Sequence, residues 1–166
     1  MLPSFGITYL LTALGGTPDV LDALLAKRPA DDSVWDARPD PERFTLREIV
    51  AHLADWEDVF LDRLVRTRDE EAPTLPVVDP ERLARERDYA HHDSHGDLAR
   101  FRAGRERLVG FLSALEPAQW ERAGQIVRGD PPVSHNVTLE AWAVQVLAHD
   151  GYHTRQAAQW LNGRAG

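Results

Sequence analysis

Two histidines four residues apart, His149 and His153, are the side chains of this sequence best suited to chemistry. On an α-helix four residues make just over one turn, so both imidazoles project in the same direction. With Leu139 as the origin and about 100° per residue, they fall at roughly 280° and 320° on a helical wheel. Four apolar side chains share that sector of the wheel: Trp142, Val146, Ala157 and Trp160. Both histidines are therefore predicted to point into the core, where each ring needs a polar partner.

A divalent metal ion would satisfy both imidazoles at once, whereas the simpler alternative gives each ring its own backbone or side-chain partner. A third imidazole favours the metal, because His52 lies on another predicted helix, about 40° from the inward-facing Trp56. The chain has no cysteine, so only histidine and carboxylate ligands are available. Three imidazoles with an open position suit Zn²⁺, Ni²⁺ or Fe²⁺. The predicted metal ligands are His52, His149 and His153.

Two carboxylates, Glu57 and Asp150, also fall near apolar helix faces, where an unpaired charge is unusual. They either form salt bridges with arginines of the third long helix or hold a ligand imidazole by its second nitrogen. In zincin proteases a glutamate directly follows the first histidine of the pair; here Asp150 stands there, which argues against that class. The other histidines lie in predicted loops and are expected to be solvated: His91, His92, His95 and His135.

Four long amphipathic segments are predicted to carry these residues. Three of them run from Ser4 to Lys27, from Thr45 to about Arg66, and from Thr138 to near Asn162. The remaining one, third in the chain, is capped within Ser94–Asp97 and runs to about Leu115. Gly15-Gly16 and Thr17-Pro18 divide the first segment into two abutting helices or interrupt one. Thr45 and Glu48 form a capping box, and Asp79-Pro80 starts a short helix through Arg87.

The connections between these segments are predicted to be loops. Residues 116–137 form the longest, and Val133 to Val137 is too short and mixed in character to predict a strand. Four amphipathic stripes bury one another best in a bundle, and bundles place metal sites between facing helices. We therefore predict an all-α, four-helix bundle with a long crossover connection, forming one domain over residues 1–166.

Composition excludes several classes of function. The net charge of −8 opposes binding to nucleic acid, and no cluster of basic residues offsets it. No apolar run has the length of a membrane span, and no basic region followed by an apolar segment indicates a signal peptide. A cytoplasmic protein that acts on small molecules is the resulting expectation.

Two motifs carry a resemblance to a known family. Residues 45–57, TLREIVAHLADWE, and 147–156, LAHDGYHTRQ, resemble the second-helix and last-helix motifs of the DinB-like proteins, and the similarity extends over nearly the whole chain. The resemblance implies a bundle with a long crossover and a three-histidine divalent-metal site at His52, His149 and His153. It also implies a homodimer, since members are often dimers. The family usually has Trp shortly before the capping residue, where this chain has Phe44, a difference expected to affect packing rather than ligands.

Three functions are compatible with these features. The first is a metal-dependent enzyme of the thiol S-transferase or hydrolase type, because some members of the resembled family use a low-molecular-weight thiol as cosubstrate. The second is a non-catalytic metal-binding protein of the stress response, in which a fourth protein ligand closes the site. The third is an interaction bundle whose paired core histidines bind no metal.

Overall fold

The computed structural model describes residues 2–163, which are mostly helical. The α-helices are α1 (Ser4–Leu25), α2 (Leu46–Asp69), α3 (Pro80–Glu86), α4 (Ser94–Ser113) and α5 (Leu139–Leu161). The strands are β1 (Thr74–Leu75), β2 (Ala123–Arg128) and β3 (Val133–Thr138). None of the helices in residues 2–163 is both long and apolar enough to span a bilayer. The four long helices predicted from hydrophobic periodicity are confirmed.

The four long helices form a bundle with diagonal connections. Each of α1 and α2 packs against both α4 and α5. Helix α1 is therefore diagonal to α2, and α4 is diagonal to α5, so the segments that join these pairs must cross the bundle. The predicted crossover is confirmed. On α5 the candidate histidines fall between Val146 of one apolar core cluster and Ala157 of the other, and on α2 His52 lies one turn before the two clusters meet at Trp56.

Helix α1 is a single helix, uninterrupted at Gly15-Gly16 or at Pro18. A proline inside a helix removes the hydrogen bond that its N–H would give to the carbonyl four residues earlier, which here is Leu14. The Leu14 carbonyl instead accepts a hydrogen bond of 3.0 Å from Nη1 of Arg105 on α4. A tertiary contact thus replaces the missing local one, and this explains why α1 continues through Pro18.

The caps of the two histidine-bearing helices are those predicted. The Glu48 N–H donates to Thr45 Oγ1 at 3.2 Å, and the Thr45 N–H donates to Glu48 Oε2 at 2.8 Å. At the start of α5 the Ala141 N–H donates to Thr138 Oγ1 at 3.1 Å. Helix α4 begins slightly earlier than predicted, with Asp93 as its cap. These caps fix where α2 and α5 begin, and so the phase at which their histidines face the core.

The prediction of an irregular loop over residues 116–137 was wrong. After a short 3₁₀ turn at Pro117–Glu121, β2 and β3 form an antiparallel hairpin, and β2 also pairs in parallel with β1. Most side chains of β3 are exposed, so the strand is held by its ladder and shows little apolar alternation. Gly129 supplies the turn with its positive φ of 88°.

Candidate metal centre

Helices α2 and α5 bring His52, His149 and His153 together, as the helical wheel predicts. One ring nitrogen from each lies within 4.8 Å of those of the other two. The ring centroids are 4.9 Å apart for His52 and His149, and 4.7 Å apart for the other two pairs. His52 and His153 are buried, whereas His149 is partly exposed. Three imidazoles from two helices thus converge on one point at the edge of the core.

The protein leaves these imidazoles short of hydrogen-bond partners. Nε2 of His52 and Nε2 of His149 face each other at 2.9 Å. Nδ1 of His52 and Nδ1 of His153 are buried with no hydrogen-bond partner among the described residues. An ion bound at about 2.0–2.1 Å from each of two imidazole nitrogens keeps those nitrogens roughly 3 Å apart. The donor set therefore fits a divalent cation.

All three rings are neutral at pH 7. Burial, reinforced by the other two histidines, lowers the pKa of His52 to about 2. Burial and His153 lower the pKa of His149 to about 3. Burial lowers the pKa of His153 to about 4, although the nearby Gln156 side chain acts in the opposite direction. Each ring therefore keeps one nitrogen lone pair available to a cation.

Aromatic side chains pack against the His52 ring. The centroid of the His52 ring lies 4.3 Å from that of Trp56 and 5.2 Å from that of Phe44. The three histidines face a cavity of about 350 Å³, which we call the histidine cleft. It is lined by Glu42, Arg43, Phe44, His52, Trp56, Pro80, Glu81, His149, Tyr152, His153 and Gln156. The three histidines thus lie at the base of a cleft that has room for a small molecule.

Phe44, which departs from the pattern of the resembled family, helps to position α5. Its carbonyl oxygen accepts hydrogen bonds from Gln156 Nε2 at 3.0 Å and from Trp160 Nε1 at 2.8 Å. The segment that precedes α2 is thereby tied to the helix that carries His149 and His153. The backbone of residue 44 thus fixes the distance between the two histidine-bearing helices.

Glu57 and Asp150 form a buried ion network with Arg105 and do not hold the histidines. Nε and Nη2 of Arg105 donate to the two Glu57 carboxylate oxygens at 3.1 and 2.6 Å. Its Nη1 and Nη2 donate to Asp150 at 2.5 and 3.0 Å, and Thr17 Oγ1 donates to Asp150 at 3.1 Å. Gly104 lets Glu57 approach, because a Cβ there would lie 2.6 Å from the Glu57 Cβ. Of the two alternatives, the salt bridge with the third long helix is the one observed.

The other four histidines do not join the cluster. His91 is exposed and hydrogen-bonds Asp88, and His95 packs edge-on against Trp35. His92 is half-buried and contacts Asp97 and the Arg87 carbonyl, so it is less solvated than predicted. His135 is exposed on β3 rather than in a loop.

Sequence reasoning did not single out Arg63, a buried arginine on α2. Arg63 follows His52 by eleven residues, a spacing that makes the two side chains point in directions that differ by only about 20° on an ideal α-helix. This helical phase was the signal in the sequence from which the inward direction of Arg63 could have been predicted. Arg63 therefore lies on the face of α2 that carries His52 and Trp56, further along the helix.

The chain is a helical bundle with three imidazoles at the base of a cleft. The sequence pattern of the DinB superfamily matches residues 13–157, so the chain belongs to the DinB superfamily. A search of curated proteins found no match. Among solved structures, YfiT from Bacillus subtilis superposes with a TM-score of 0.85 at 21% identity, over 99% of this chain and 92% of that one. YfiT is described as a probable metal-dependent hydrolase with an unusual four-helix bundle topology.

Proposed function

We propose that this protein binds a divalent metal ion through His52, His149 and His153 and is a metal-dependent enzyme of the hydrolase or thiol S-transferase type. The convergence of three neutral imidazoles at the base of an open cleft carries the proposal. The description of YfiT as a probable metal-dependent hydrolase supports the same class of activity. Zn²⁺, Ni²⁺ and Fe²⁺ are the candidate ions, since each accepts imidazole ligands.

A divalent ion held by three imidazoles supplies an open position at which a bound water or thiol loses its proton near neutral pH. The chain's own part is to hold and shield that position. Phe44 and Trp56 pack against the His52 ring and also line the cleft, so their apolar faces border the space beside the site. Glu57 and Asp150 are paired with Arg105 and do not line the cleft.

Two side chains at the mouth of the cleft are placed to contact a substrate. The Tyr152 ring is 56% exposed and packs edge-on against His153 with a centroid separation of 4.9 Å. The Arg43 guanidinium lies over the Tyr152 ring at 5.5 Å and over the Trp160 ring at 4.7 Å. An aromatic face beside a cation suits a small organic substrate or the body of a low-molecular-weight thiol.

The test begins with elemental analysis of protein purified without an affinity tag. We expect about one divalent ion per chain, lost in His52→Ala and His153→Ala and kept in His135→Ala, which alters an exposed histidine on β3.

Activity is then measured with p-nitrophenyl esters and with thiol-plus-electrophile mixtures, before and after chelation. Ester turnover supports the hydrolase and thiol consumption the transferase. Metal-loaded protein that is inert on both panels favours the non-catalytic alternative, and metal-free protein overturns the proposal.

A further inference from the structure

A second cavity lies beside the histidine cleft and shares Trp56 and Pro80 with it. Its volume is about 630 Å³, and Arg63 and Arg128 line it, so we call it the arginine cleft. Its remaining lining residues are Val77, Val78, Asp79, Val127, Gly129 and Gln145. A molecule lying across Trp56 and Pro80 would occupy both cavities.

Arg63 is a buried cation without an anionic partner. Its side chain is 3% exposed, and no carboxylate in residues 2–163 forms an ion pair with it. Its one hydrogen bond runs from Nη2 to the Pro76 carbonyl at 3.1 Å, while Nε has no acceptor in the described part of the chain. Buried arginines are normally paired, because an uncompensated buried charge is costly. Arg63 is therefore placed to receive an anion.

The immediate surroundings of Arg63 are aromatic rings and a second arginine. The Arg63 guanidinium lies over the faces of the Trp142 and Phe60 rings, 4.9 and 5.9 Å from their centroids, and neither ring supplies an anion. Burial lowers the pKa of Arg63, the nearby Arg128 lowers it further, and Asp62 only partly opposes them. Arg128, at the end of β2, is exposed and forms no ion pair within residues 2–163.

The acidic residue of the arginine cleft does not neutralise it. Asp79 Oδ1 accepts the backbone N–H groups of Glu81 and Arg82 at 2.9 and 3.0 Å and so caps α3. Among the residues that line the cleft, two guanidinium groups thus face one carboxylate that is already hydrogen-bonded. Arg63 also borders a neighbouring cavity lined by Asp55, Asp58 and Asp62, none of which forms an ion pair with it in residues 2–163. The cleft has a net positive charge although the chain as a whole carries −8.

We propose that the arginine cleft binds an anionic oxygen group, carboxylate or phosphate, at one end of an elongated substrate whose other end reaches the three histidines. This inference rests on the proposed function. His52 and Arg63 lie on one face of α2, about 16 Å apart along its axis, and helical side chains lean towards the N-terminus, which brings the guanidinium closer to His52. Val77 and Val127 would contact the apolar middle of such a molecule.

The test measures binding of three probes to the metal-loaded protein by calorimetry: 5-phenylpentanoate, 4-phenylbutyl phosphate and the neutral 5-phenylpentanamide. We expect the preferred anion to bind about ten-fold or more tightly than the amide, since a hydrogen bond to a charged group is worth that much. Arg128→Gln and Arg63→Gln should remove this advantage, and Arg63→Lys should restore part of it. Arg107→Gln, which alters an exposed arginine elsewhere, should change nothing. The better of the two anions identifies the group.

Equal binding of amide and anions, or unchanged anion affinity in Arg128→Gln, overturns the inference. Arg128 is exposed, so its variant decides the matter even if Arg63→Gln does not fold. Anion binding that requires the metal and ignores both arginines places the anion at the histidines and also overturns it. Metal content of the same preparations tests the three-histidine site separately. Arginine-dependent anion binding in protein that holds no metal would uphold this inference while refuting the proposed function.

Discussion

The three histidines should make the stability of the metal-free protein strongly dependent on pH. An unfolded histidine has a pKa of about 6.5, whereas burial lowers the pKa values of His153, His149 and His52 to about 4, 3 and 2. Below pH 6.5 the unfolded chain therefore binds more protons, and the free energy of unfolding falls as the pH drops from about 6.5 towards 4. Each histidine contributes up to about 1.4 kcal/mol per pH unit.

Replacing one of these histidines should remove that histidine's contribution to the change of the unfolding free energy with pH. We expect the free energy of unfolding of His149→Gln to fall by about 1.4 kcal/mol less per pH unit than that of the wild type. Urea unfolding with chelator present at pH 6.5, 5.5 and 4.5 measures this difference. His135→Gln is the matched control and should keep the wild-type slope. If His149→Gln also keeps it, the buried rings do not titrate as described.

At the residue scale, helical phase predicted the direction of side chains better than their partners. The wheel placed His52, His149 and His153 inward, and the structure brings them together. It also placed Glu57 and Asp150 inward, but it cannot reveal which side chain on a different helix meets them. Arg105 follows Phe101 by four residues and precedes Leu108 by three, so its place on the apolar stripe of α4 was an available signal.

At the scale of elements, the cap of α2 should contribute measurably to stability. Thr45→Ala removes the side-chain oxygen that accepts the Glu48 N–H and should lower the free energy of unfolding by about 1 kcal/mol. Thr12→Ala, at an exposed position inside α1, is the matched control and should change it by a few tenths of that amount. Urea unfolding at neutral pH measures both. Equal effects of the two substitutions would mean that the capping box does not stabilise α2.

The helices could be predicted from the sequence because each one buries apolar residues that recur with the period of an α-helix. The hairpin could not be predicted in this way. Val133, Ser134, His135 and Asn136 are all exposed, so β3 lacks the alternation by which a half-buried strand is recognised. Its six paired positions with β2 depend on backbone hydrogen bonds between segments that the turn at Gly129 brings together. Such pairing is a property of two segments jointly and leaves little trace in either one.

At the scale of the whole molecule, Arg105 joins all four long helices. From α4 it reaches Glu57 on α2, Asp150 on α5 and the Leu14 carbonyl that Pro18 leaves unpaired on α1. Two buried carboxylates face this one guanidinium, and burial raises the pKa of both, although hydrogen bonds from Arg105 lower it in part. The network thus ties α2 and α5, the two helices that carry the histidines, to each other through α4.

Removing the arginine alone should therefore be far more damaging than removing the whole network. We expect Arg105→Met to lower the free energy of unfolding by about 3–5 kcal/mol, because Glu57 and Asp150 are left buried and uncompensated. The triple variant Arg105→Met, Glu57→Gln, Asp150→Asn carries no buried charge at these positions and should recover part of that loss. Urea unfolding measures both variants, with the soluble fraction as the readout if Arg105→Met does not fold. If the triple variant is as unstable as the single one, the loss comes from the Leu14 carbonyl and from packing, and the charge network is not what holds the four helices together.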